Sequence, residues 1–220
     1  MATREPNVWT TGRIEAFSDG VFAIAITLLV LEIKVPELQN GISLGRELLN
    51  LWTSYFGYVF SFLMIGIYWA NHHYIFQLYK KTDHGFILVN LFFLMCISFL
   101  PFPTAVLARY IDDSQWQQTA IVFYAFGLFL PAFSWMLAWL YGSRRKRGLL
   151  DEKLDESFIG YSTRIFVVSF AVSLSAVLLA LWNGIAGLIL CVGLSLLYLL
   201  PPKKPVYREA DTTDDESKLK

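Results

Sequence analysis

Asp19 opens an apolar stretch that runs from Val21 to Leu31 and is closed by Glu32, and two adjacent histidines, His72 and His73, lie near the end of another apolar stretch. A carboxylate and imidazoles at one depth in a bilayer can relay protons, hold a metal ion, or lock helices together as a hydrogen-bonded layer. Adjacent residues on one helix diverge by about 100 degrees, so His72 and His73 make a poor chelate. The residues are therefore read as a structural or gating layer, with a proton pathway through Asp19 and His73 as the rival and no metal ligand set. Cys96 and Cys191 lack CxxC spacing and a nearby ligand cluster, and read as small apolar core residues.

The elements that must position these groups are membrane spans. The 220-residue chain is 55% hydrophobic and only 16% charged, with a mean hydropathy of +0.48, far from soluble composition. Apolar stretches of bilayer-spanning length fall near residues 14–35, 51–77, 86–108, 117–141, 159–182 and 184–201. The fold class is thus all-α, an integral membrane six-helix bundle, divided into an N-terminal segment (1–12), a transmembrane domain (13–202) and a compositionally disordered tail (203–220). Helix 1 lacks a small-residue cleavage site after Leu31 and is read as retained. Pro101, Pro103 and Pro131 predict kinks, and Pro201-Pro202 a stop to the last helix.

Lys80 and Lys81, then Arg144, Arg145, Lys146 and Arg147, then Lys203, Lys204 and Arg208 cluster in alternate connections and the tail, whereas the other loops carry Lys34, Arg46 and Arg109. The positive-inside rule places both termini in the cytoplasm of a multi-pass cell-membrane protein. The zero formal net charge averages over this asymmetry and gives no reason for a nucleic-acid partner. The Arg-Arg-Lys-Arg run reads as an orientation and headgroup anchor.

On a helical wheel Phe17, Ile24, Leu28 and Leu31 fall within about 60 degrees, a narrow apolar stripe. Beside it Ala16, Gly20, Ala23 and Thr27 form a seam of small residues of the kind that lets membrane helices approach closely. Asp19 projects about 140 degrees from Ile24, and an ionisable group there costs several kcal/mol unless paired or wetted. Matching depth predicts one layer of Asp19, Trp69, His73 and Asn90, with Trp69 and His73 on one face because they are four apart. His72 is expected to point away toward the interface. Glu32, close to Lys34, reads as a solvated helix end.

Arg13 with Phe17-Ser18-Asp19, Ile24 and Thr27, the run Tyr68-Trp69-Ala70-Asn71-His72-His73, and Ile97-Ser98-Phe99-Leu100-Pro101 resemble the endosomal and lysosomal transmembrane potassium channel family, in its prokaryotic single-repeat branch. The likeness covers roughly residues 10–200. It implies a homotetramer with helix 1 innermost around a central pore, without a carbonyl filter, pinched by apolar side chains. Carried onto this chain, the constriction is Ile24, with Leu28 and Leu31 as further layers, and Thr27 tunes selectivity. Arg13, Phe17, Ser18, Asp19, Trp69, His73 and Asn90 match the network that holds helix 1. Potassium is then the permeant ion, other monovalent cations being possible passengers, and no cofactor is implied.

Two other classes fit less well. A proton-coupled secondary transporter using Asp19 and His73 would carry repeats and broken helices with binding groups near the midplane. An enzyme would need a nucleophile and base, or metal ligands, converging at one depth, and Asp19 with His73 defines no reaction.

Overall fold

The computed structural model describes residues 9–37, 43–200 and 202–208. The expected terminal segments therefore lie partly outside the described residues, as does Pro201. Eight α-helices occur among the described residues: α1 (Gly12–Leu28), α2 (Leu44–Asn50), α3 (Trp52–Phe76), α4 (His84–Phe99), α5 (Pro101–Tyr110), α6 (Gln117–Gly142), α7 (Glu156–Trp182) and α8 (Gly184–Leu197). Four continuous stretches are long and apolar enough to cross a membrane: Gly12–Glu32, His84–Tyr110, Gln117–Gly142 and Glu156–Trp182. A fifth forms if α2 and α3, bent by 46°, count as one span. The last apolar helix, α8, is shorter than the stretch expected over 184–201. At 1.5 Å per residue it covers about 20 Å, two-thirds of a ~30 Å hydrocarbon core.

Local chemistry explains these breaks. Leu100 joins α4 to α5 with Pro101 at the first turn of α5, where a missing N–H costs no helical bond. Pro131 sits inside α6 without ending it. Gly127, one turn earlier, faces Pro103, and a Cβ there would come within 2.7 Å of the Pro103 ring. The α7–α8 hairpin closes tightly because Gly187 has no Cβ; one would lie 2.5 Å from the Ala180 backbone. At its turn Asn183 Oδ1 accepts the Ala186 amide (3.0 Å) and Gln118 Oε1 accepts the Gly184 amide (2.9 Å), satisfying donors left over at the start of α8.

The main core lies where α1, α3, α4, α6, α7 and α8 meet, around Phe22, Ile65, Phe93, Ile97, Ile121 and Tyr124. A second cluster, built on Phe76, Tyr79, Phe86, Trp139, Leu154 and Phe158, closes one end of the bundle. At that same end short backbone pairings tie together four remote segments. Trp9 and Thr82 exchange both backbone bonds (2.9 and 2.7 Å), Lys80 and Asp151 donate to Leu149 and Leu78 (2.9 Å each), and Asp155 and Arg208 donate to Val206 and Lys153 (2.9 and 2.8 Å). The basic residues of these segments are drawn in as well. Arg147 pairs with Asp83 at 3.3 Å and lies over the Tyr141 ring at 3.7 Å, Lys80 pairs with Asp151 at 3.4 Å, and Arg208 with Glu156 at 3.1 Å.

Candidate functional site

Helix α1 buries one narrow arc, made by Ile14, Ser18, Phe22 and Ala25, continued by Leu29 in the tighter 3-10 turn that follows. Val21 and Ile26 flank this arc and pack against the core, whereas the apolar stripe and the small-residue seam face away from the chain. Phe17 is 55% exposed, Ile24 61%, Leu28 43% and Leu31 61%, and Ala16, Gly20, Ala23 and Thr27 are exposed too. A Cβ on Gly20 would meet nothing within 4 Å, so the small-residue seam is unfilled within one chain.

The α-helix was expected to continue to residue 35 but gives way to 3-10 geometry over Leu29–Glu32. The Thr27 hydroxyl contributes at this transition: it lies within hydrogen-bonding reach of both the Ala23 and Ile24 carbonyls (3.0 and 2.9 Å), a back-bonding pattern that bends helices. Because residues three apart eclipse in a 3-10 turn, Leu31 comes to stand over Leu28. Lys34 closes the end by donating to the Leu31 carbonyl (2.8 Å), where the helix dipole favours a cation.

Two polar groups hold α1, in place of the single layer expected. The first is buried. Ser18 Oγ donates to the Ile14 carbonyl (2.7 Å) and accepts from Asn90 Nδ2 (3.0 Å), while Asn90 Oδ1 lies 3.0 Å from His72 Nε2. For that oxygen to accept, His72 carries its proton on Nε2. Ser18 is 0% exposed, and His72 and Asn90 1% each, so water cannot substitute for any member. The His72 ring is also stacked, 4.1 Å from Phe76 and 5.4 Å from Trp135, with Phe22 of α1 edge-on at 5.5 Å.

The second group is exposed. Trp69 Nε1 donates to Asp19 Oδ1 (2.9 Å), and His73 stacks on Trp69 at 6.3 Å while its Nε2 meets Gln77 Nε2 (3.0 Å). Trp69 and His73 thus share a face, but Asn90 belongs to the other group. The histidine that reaches Asn90 is His72, not His73, because the face of α3 that turns inward carries Gly57, Ser61, Met64, His72 and Ile75, all buried. That pattern was the overlooked signal, since membrane helix contacts favour small and hydrogen-bonding residues. It also accounts for Ser61, whose hydroxyl lies 2.6 Å from that of Thr104 on α5. Arg13 is exposed and makes no hydrogen bond or ion pair among the described residues, and Phe17 points out of the chain.

A bundle of apolar helices with its basic loops gathered at one end is a multi-pass membrane protein, and its first helix is anchored along one arc while its apolar stripe lies exposed among the described residues. The profile of the family described as endosomal/lysosomal potassium channel TMEM175 matches residues 13–101, the segment from Arg13 to Pro101 that contains both polar groups. A potassium channel of Chamaesiphon minutus is 44% identical over 185 residues, covering 80% of this chain and 90% of that relative. The crystal structure of a lysosomal potassium-selective channel TMEM175 homolog from the same organism superposes with a TM-score of 0.75 at 38% identity, covering 86% of this chain and 96% of that one. The Gallus gallus endosomal/lysosomal proton channel TMEM175 is 35% identical over 118 residues, half of this chain and 23% of that protein. The chain belongs to the TMEM175 channel family.

Proposed function

We propose that this protein is a potassium-permeable cation channel in which four copies place α1 around a central pore, Ile24 forming the constriction and Leu28 and Leu31 further layers. The observation that carries this reading is the division of α1. One arc is fixed to α3 and α4 by the buried Ser18–Asn90–His72 chain, and the apolar stripe with its small-residue seam lies exposed among the described residues. Helices that approach closely through small residues satisfy both arcs in a symmetric ring. An apolar ring excludes water when narrow and passes ions when slightly wider, so conduction follows the radius at Ile24, and potassium is preferred because it sheds hydration more cheaply than sodium. Thr27 shapes the helix beside the constriction through its bonds to the Ala23 and Ile24 carbonyls.

The gathering of Trp9, 79–82, 149–155 and 206–208 at one end supports six passes through the cell membrane, α1, α3, α4 with α5, α6, α7 and α8, with both termini cytoplasmic. Arg13 and Phe17 then act between copies, and Asp19 with Trp69 braces α1 from the side. The relatives are named as potassium channels and as proton channels. A proton pathway by way of Asp19 and His73 is the second reading, and both residues lie on the exposed side of α1 and α3.

Reversal potentials in planar bilayers under a potassium and sodium gradient test the assignment directly. In liposomes, Ile24→Asn should raise potassium flux about tenfold, the effect of lowering a barrier by ~1.4 kcal/mol, and weaken discrimination against sodium. Transport that saturates and strictly requires a proton gradient would overturn the channel reading.

A further inference from the structure

Between α3, α6, α7 and the end of α8 lies a cavity of about 360 Å3, within the range of pockets that hold organic ligands. Its walls are mostly carbon, from residues such as Met64, Trp135, Ile165 and Phe166. The stretch of α3 from Met64 to Tyr74 and the stretch of α7 from Phe158 to Ser169 both run about 15 Å along it at 1.5 Å per residue. That is half of a ~30 Å hydrocarbon core, the depth of one leaflet.

Among the lining residues Lys203 alone carries a charge. Its ammonium lies 4.9 Å from the centre of the Tyr161 ring, and its backbone carbonyl accepts a hydrogen bond from the Tyr74 hydroxyl, which fixes the chain across the cavity mouth. The mouth is at the end of the bundle where Lys80, Arg145, Arg147 and Arg208 gather. Those four each face a carboxylate, whereas among the described residues no acidic one lines the cavity.

We propose that this cavity is a binding site for one anionic phospholipid of the cytoplasmic leaflet, an acyl chain lying between α3 and α7 and the phosphate resting on Lys203. A leaflet-long apolar slot ending in a single uncompensated cation is complementary to that amphiphile in length and in charge. The proposal rests on the orientation given above, which protease access to the tail in sealed vesicles reports separately.

The full chain in phosphatidylethanolamine liposomes, doped with phosphatidylglycerol carrying a diazirine in its acyl chain, tests it by photolabelling and peptide mapping. Label is expected on the peptides containing Tyr68 and Ile165, competed by unlabelled phosphatidylglycerol but not by phosphatidylcholine. Lys203→Gln should lower it about fivefold, one basic residue's attraction to an anionic surface. Ser162→Trp, which fills the slot and keeps Lys203, should abolish it. Equal labelling by a phosphatidylcholine probe, or full labelling of Lys203→Gln, overturns the proposal. So does cross-linking of these peptides to another subunit, which would make a second copy the occupant.

Discussion

Replacing Asn90 with leucine keeps the volume of the side chain and removes two hydrogen bonds at once, the one it donates to Ser18 and the one it accepts from His72, both 3.0 Å. The two losses are unequal. Ser18 keeps its own donated bond to the Ile14 carbonyl and gives up only an acceptor role. His72, 1% exposed, is left with a buried N–H and no water to receive it. An unpaired buried donor costs about 1–3 kcal/mol, and hydrogen bonds between membrane helices average ~0.6 and reach ~1.7 kcal/mol. Asn90→Leu should therefore destabilise the chain by about 2 kcal/mol, and Ser18→Ala, which strands the buried Asn90 Nδ2 donor, by a comparable amount, about 1–2 kcal/mol. Phenylalanine at position 72 retains the stacking on Phe76 and Trp135 but carries no N–H to strand. The double variant His72→Phe/Asn90→Leu should then be more stable than the sum of its parts by about 1–2 kcal/mol, as expected for partners in one network. Equilibrium unfolding in bicelles, read by near-ultraviolet circular dichroism, measures all four corners of the cycle. An Asn90→Leu protein within about 0.5 kcal/mol of the parent, or a strictly additive cycle, would refute the buried chain as a stabilising unit.

Three further outcomes follow from the structure. Asp19→Asn keeps an oxygen for Trp69 Nε1 but loses the charge that makes such bonds roughly twice as strong; it should lower the yield of assembled protein in size-exclusion chromatography with light scattering, and unchanged assembly with unchanged conductance would remove Asp19 from the bracing role. Gly127→Val drives a side chain into the Pro103 ring and should cost about 1–3 kcal/mol, seen as a lower unfolding midpoint, whereas Gly20→Ala, which meets nothing in its own chain, should leave unfolding of a single subunit unaffected and act only on assembly.

The apolar stretches, the basic clusters and the stripe on α1 were legible because each is a property of spacing along one helix. Ile24, Leu28 and Leu31 do lie on one exposed side, and the basic loops do meet at one end. What was not legible depends on which way a helix faces. The wheel paired Trp69 with His73 correctly but had no means of choosing the side of α3 that meets Asn90, so it sent His72 outward. Gly57 and Ser61 lie on the same helical face as His72 and not on that of His73, and reading the face with these small, hydrogen-bonding residues as inward would have recovered it. The shift to 3-10 geometry after Leu28 involves the Thr27 hydroxyl bonding to backbone, a choice that residue type alone does not dictate. The backbone pairings between loops join residues remote in sequence and have no periodic signature.

Those pairings bear on how the protein is made. Each closes only when two segments are on the same side of the bilayer, and the last of them, between Leu154 and Tyr207, needs residues that follow α8. The Trp9–Thr82 pairing can form once α3 has been made and the Tyr79–Leu150 pairing once α6 has been made, whereas the Leu154–Tyr207 pairing waits for the segment that follows α8. This end of the bundle is thus completed in steps that mirror the order of synthesis, and a chain truncated before Tyr207 lacks the last of its three backbone pairings, the one at Leu154 of the second cluster.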